Sequence, residues 1–189
     1  MGLPLLPLLG LIAAGAAYAG QEKRPEPDMA SRAAHVEHDD VREGDCAIAA
    51  SLVIGRLLDL EVPSGGTVEQ ITALRASLDV PAYAGVDGDE VALLLMRMGA
   101  AIKEKPTVRL HRLMSRLTAG DLALVVGRYG PNDELHAIVV TAHPDFDGRW
   151  LIVHDSNYDE PYVAKYREVQ AFRTRGDGSN QMYLVRSRR

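Results

Sequence analysis

The sequence predicts an α+β domain in which helices come first and antiparallel strands follow. Three segments between Ala47 and Met98 read as helices, the first of them apolar almost all round. Beyond Gly99 the pattern shortens to β-branched apolar runs separated by turn-rich stretches. Helices segregated from a later set of strands indicate α+β rather than a parallel α/β sheet. With 189 residues, 47% of them hydrophobic, the chain is long enough for one domain with a substantial core.

Residues 1–19, MGLPLLPLLGLIAAGAAYA, carry no charge and end in Ala17-Tyr18-Ala19. The A-x-A ending suits a signal-peptidase site, and the apolar length borders on that of a membrane span. The expectation is a signal peptide or membrane anchor, placing the domain outside the cytoplasm: secreted, periplasmic or anchored. No Lys or Arg precedes the apolar run. Residues 20–34, with Pro25, Pro27 and mixed charges, read as a linker, so the domain is expected over 35–189.

Ala47 to Leu60 reads as a buried helix, broken by Pro63-Ser64-Gly65-Gly66. Thr67 and Gln70 have the spacing of a capping box for a second helix reaching about Leu78. Asp87 or Asp89 is expected to cap a third helix, which runs through Met98 and ends at Gly99. Ala101-Ile102-Lys103 and Thr107-Val108-Arg109 read as short strands, and Leu110 to Leu117 as a short helix. Strands are expected over Asp121 to Arg128, His136 to Ala142, Arg149 to His154 and Met182 to Arg186, with a short helix over Lys165 to Phe172.

The net charge is −5, and no basic block or stripe interrupts the acidic balance. Arg186-Ser187-Arg188-Arg189 is too short to alter this, so a nucleic-acid partner is not expected. The single cysteine, Cys46, excludes an intrachain disulfide and a CxxC metal or redox centre. His35-Val36-Glu37-His38-Asp39-Asp40 has metal-ligand chemistry but no second ligand cluster, and reads as a solvated charge run.

Cys46 follows Gly44-Asp45 and opens the first apolar helix. A thiol attacks as thiolate, and a helix N-terminus favours that form through its unpaired N–H groups and partial positive charge. A nucleophilic thiol needs a histidine base, and the base needs a third group to fix its tautomer. Of six histidines, His136 is the best mounted, because it starts the apolar run His-Ala-Ile-Val-Val. Asp155 ends the next strand. Antiparallel pairing of the two strands would bring Asp155 to the same edge as His136. Asn157 is a second candidate to orient the ring.

This order, a cysteine opening the first helix, a strand-start histidine 90 residues later and an Asp 19 residues beyond it, resembles the papain-like cysteine peptidases. The spacing, Met98-Gly99-Ala100, Leu117-Thr118-Ala119-Gly120-Asp121 and His-Ala-Ile-Val-Val resemble the bacteriocin-processing, double-glycine-type branch. Gly120-Asp121-Leu122 is also similar to the cysteine–histidine amidohydrolases that cut peptidoglycan. The resemblance covers about residues 38 to 186. It implies a papain-like fold and a cysteine peptidase acting through Cys46, His136 and Asp155 on a peptide or protein substrate, with no metal or organic cofactor. Two positions depart from the pattern: Ala47 stands where the family has Gly, and Asp40 where it has a Gln that donates to the oxyanion. A carboxylate opposes such a charge. His38, a loop of different length, or the backbone N–H of Cys46 then remains to fill that role. The alternatives are a peptidoglycan amidase or other acyl transferase on the same fold, and an inactive papain-like binding domain.

Overall fold

The structure, a computed structural model, describes residues 24–81, 84–104, 115–117, 119–129, 134–144, 150–169 and 181–188. Among the described residues, four helices, α1 (Met29–Ala34), α2 (Cys46–Leu57), α3 (Thr67–Leu78) and α4 (Gly88–Arg97), precede six strands. The strands are β1 (Ala100–Glu104), β2 (Leu122–Tyr129), β3 (Glu134–Ala142), β4 (Trp150–His154), β5 (Tyr162–Lys165) and β6 (Gln181–Ser187). They form an antiparallel sheet in the order β1-β6-β2-β3-β4-β5. The α+β class expected from the sequence is therefore the architecture observed. The expected strand over 107–109 and the N-terminal segment 1–19 lie outside the described residues, as do most of the helix over 110–117 and the end of the helix over 165–172.

Strand alternation divides the core between the two faces of the sheet. Leu122, Leu124, Val126, Ala137, Val139, Tyr183 and Val185 pack with the helices. Ala123, Val125, Ile138, Val140, Leu151, Val153, Met182 and Leu184 pack on the other side, closed by Leu117 and Val169. Helix α2 lies against β3, and every residue from Ala47 to Gly55 is buried. Gly55 allows close approach: a Cβ there would meet the Met98 methyl at 2.5 Å and Val62 at 2.6 Å.

The caps agree with the sequence expectation at one helix and depart from it at another. Asp87 caps α4 in a full capping box with Glu90, as its position suggested. At α3 the cap is Gly66, with no side-chain bond. Thr67 and Gln70 accept instead from Arg56 at 3.0 and 2.8 Å, and Gln70 donates to the Pro63 carbonyl. A half-buried guanidinium crossing from α2 takes the two side chains that would otherwise have capped each other. Strand β5 lacks a run long enough to be read from sequence. It forms because Tyr162–Lys165 pairs along β4.

The stretch expected as a linker is described from Arg24, and there it is packed. Arg24 donates to the Val163 carbonyl and pairs with Glu168 at 2.7 Å. His143 bonds the Glu26 carbonyl at 2.8 Å. Asp28 caps α1, and Ser31 and Ala34 are buried. Prolines and mixed charges remove periodicity from a segment, but they do not prevent it from lying across a sheet. His35 and Val36 are also buried, so the run from His35 to Asp40 is not simply a solvated charge run.

The turn before α2 is braced by Arg75 of α3, itself buried. Its Nε donates to Asp45 at 2.5 Å, and its terminal nitrogens to the carbonyls of Gly44, Pro81 and Ala84 at 2.8–2.9 Å. Gly44 sits at φ +84°, and a Cβ there would meet the Ala84 carbonyl oxygen at 3.3 Å. The brace needs both charges, because each is buried where only the other compensates it. Arg75→Met is therefore expected to cost about 3–5 kcal/mol in denaturant unfolding, with part of the loss recovered in Arg75→Met/Asp45→Asn. Equal losses in the single and double variants would show that the ion pair is not what holds the turn.

Two buried histidines make the fold acid-sensitive. Burial holds His154 down at about 3, with the neighbouring His35 adding to the effect and Asp28 opposing it. Burial also lowers His35, against the Tyr158 carbonyl and the charges of Asp155, Glu37 and Asp159. The unfolded chain takes these protons first, so stability falls as pH drops below about 6.5 toward 3, by at most ~1.4 kcal/mol per pH unit for each group. His154→Gln should flatten the fall in melting temperature between pH 6.5 and 4.5. An unchanged acid slope in that variant would exonerate His154.

Candidate active site

Cys46 is the first residue of α2, where the first-turn N–H groups have no acceptor within the helix. It is half-buried, and the Asp45–Arg75 brace fixes the turn that delivers it. Asp45 is the N-cap residue by position, yet its side chain makes no capping bond. Its carboxylate is spent on Arg75, so it does not compete for the amides of the first turn.

His136 lies on β3, opposite Gly127 of β2, and is 6% exposed. Val139 pairs with His154, so β3 and β4 run antiparallel as expected, and Asp155 follows β4 directly. His136 Nε2 is 2.7 Å from Asp155 Oδ1. The Asn157 side-chain amide lies 3.3 Å from the same nitrogen, and its oxygen is the atom suited to a protonated Nε2. The Asn157 backbone N–H donates to the same Asp155 oxygen at 3.0 Å, closing a turn around the carboxylate. His136 also hydrogen-bonds the Cys46 side chain.

Burial alone would strip His136 of its proton. Hydrogen bonds to Asp155 and Cys46, and the charges they carry, outweigh it and raise the imidazole to about 10. The ring is thus held as an imidazolium through neutral pH, between a carboxylate and a sulfur. By the linkage sign, this stabilises the fold fully below about pH 6.5, and the contribution is lost as pH rises toward 10. The second carboxylate oxygen, Asp155 Oδ2, is buried with no partner among the described residues.

The structure brings Cys46, His136, Asp155 and Asn157 together. It does not bring His38 or Asp40 to the sulfur by any described bond. Both lie in a single 3-10 turn, His38–Asp40. The His38 ring bonds the Ser156 carbonyl at 3.2 Å, and the charge of Asp40 acts on Arg56. Two residues that hold the turn before Cys46 were not picked out for that role by the sequence reading: Arg75 and Asp45. Only Asp45 had a local signal, its place beside Gly44. Arg75 lies 30 residues away from the turn it holds, and nothing in its own helix marks it.

Among the described residues, no group of three or more His, Cys, Asp or Glu is placed to hold a metal ion. No helix among them is long and apolar enough to cross a membrane.

No family model matches the chain, and no curated protein does. Among solved structures, the chain is similar to the Pseudomonas avirulence protein AvrPphB at 10% identity, over 78% of this chain and 97% of that one, with a TM-score of 0.35. A likeness of that size carries no argument about either fold or activity, and the site rests on its own geometry.

Proposed function

We propose that the chain is a thiol-dependent amide hydrolase, a cysteine peptidase on a papain-like fold. The observation that carries this is the placement of His136, hydrogen-bonded to Asp155 on one side and to Cys46 on the other, at the first turn of a buried helix.

In this reading Cys46 Sγ attacks the carbonyl carbon of a substrate amide, and the developing oxyanion faces the first-turn amides of α2. The His136 imidazolium gives its proton to the leaving nitrogen as the C–N bond breaks, and an acyl thioester remains on Cys46. Water then attacks the thioester while His136 takes its proton, and the thiolate leaves to regenerate the pair. Asp155 holds the ring and stabilises its charge, and Asn157 supports the same edge. The residues ask for no metal or organic cofactor. The substrate is a peptide or protein, peptidoglycan peptides included, and the N-terminal segment 1–19 is proposed to export or anchor the domain.

Peptide cleavage and cell-wall digestion, assayed side by side, separate a peptidase from a peptidoglycan amidase. Cys46→Ser should abolish the activity found, and full activity in that variant ends the proposed mechanism. Because His136 sits at about 10, turnover that needs its imidazolium should decline as pH rises through that value. Asp155→Asn removes the charge that sustains the imidazolium, so its alkaline limb should move down toward about 6.5. A limb that stays in place would mean that Asp155 does not set the protonation of His136.

A further inference from the structure

Asp155 and Asn157 sit on a turn that follows β4, and the turn is held from outside the sheet. Its internal bonds are Tyr158 N–H to the Asp155 carbonyl, and Asn157 N–H to Asp155 Oδ1, both 3.0 Å. Two of its other carbonyls accept from the N-terminal segment. Ser156 accepts from His38 Nδ1 at 3.2 Å, and Tyr158 accepts from His35 Nε2 at 2.9 Å. A carbonyl can only accept, so each ring nitrogen must carry a proton there. The His35 carbonyl is in turn gripped by Arg56 of α2 at 3.0 Å. The clamp is therefore anchored on the helix that carries Cys46, and residues 35–46 run directly from the clamped turn to the nucleophile.

We propose that His38 and His35 are positioning residues of the active site. By donating to the Ser156 and Tyr158 carbonyls they lock the Asp155–Asn157 turn in register with the cysteine end of α2. His38 Nδ1 is then committed to the turn, and the segment 35–40 belongs to the catalytic apparatus. The inference rests on the reading of Cys46, His136 and Asp155 as a catalytic set. Asp155, Glu37, Asp159 and the His154 ring, 5.7 Å away, surround His35. His38 itself is exposed, so its ring can be replaced without opening the core.

The test is the rate of Cys46 alkylation by iodoacetamide in the full chain, compared at pH 6.5 and 9.5. Cys46 is the only cysteine, so the readout is site-specific. Loosened packing changes access at both pH values alike, whereas a weakened cysteine–histidine pair lowers the pH 6.5 rate alone. The wild-type ratio of the two rates should lie near one, and His136→Ala should lower it by about 100-fold, toward that of a free thiol. His38→Ala is expected to lower the ratio by about 3- to 10-fold through misplacement of the turn. His38→Asn puts an amide N–H where Nδ1 was and should restore it. His35→Gln, which replaces Nε2 by an amide nitrogen, should likewise keep the wild-type ratio. A wild-type ratio in His38→Ala, or equal failure of His38→Asn and His38→Ala, overturns the positioning role while leaving the catalytic set intact. A free-thiol ratio in the wild type overturns the catalytic set, and this inference with it.

Discussion

Nine successive buried residues, Ala47 to Gly55, leave α2 without a solvent face, and the other parts of the molecule are arranged around that constraint. Strands β2, β3 and β6 supply one wall through Leu124, Val139 and Tyr183, while α3 and α4 supply another through Ile71, Leu74, Val91 and Leu95. Removing this apolar surface from water is the main favourable term in forming the domain. It also has a mechanical result. A helix packed on every side cannot slide or tilt without opening a cavity, so its first turn, where Cys46 sits, has a defined place relative to β3.

Around that fixed point the polar groups are held by long-range pairs. Arg75 reaches from α3 to the Gly44–Asp45 turn, and Arg56 reaches from α2 to His35, Thr67 and Gln70. Arg186 holds the buried Asp121 at the start of β2. In Arg75 and Arg56 a planar guanidinium satisfies several acceptors at once, which suits it to closing loops against a core. The loops that flank the site are therefore tied to helices rather than left to their own turn propensity.

The electrostatics of the site and of its surroundings point in opposite directions. His136, flanked by Asp155 and Cys46, is pushed up to about 10, while His154, whose buried ring nitrogens have no hydrogen-bond partner among the described residues, is pushed down to about 3. Two histidines in neighbouring strands thus titrate far apart, and the difference lies in their partners more than in their burial. The charged ring is the one placed between a sulfur and a carboxylate, as general acid–base chemistry at a thiol requires.

Much of this was legible in the chain itself. The period of the apolar residues changes at Gly99, and that change alone separates the helices from the sheet, because helix and strand bury faces of different spacing. The order Cys46, His136, Asp155, with its mounting at a helix start, on a strand and just past the next strand, also lies in the sequence, since local pattern places each of the three on its element. Other features were decided only in three dimensions. Pairing with β4 makes β5, packing turns the proline-containing stretch after Arg24 into a strap with its own helix, and Arg56 draws Thr67 and Gln70 away from the cap that their spacing suggests. The brace of Arg75 on Asp45 and the grip of His35 and His38 on the 155–158 turn join residues 30 to 123 positions apart. Side-chain bonds of that kind leave no periodic trace. They exist only once the hydrophobic core has brought their partners together.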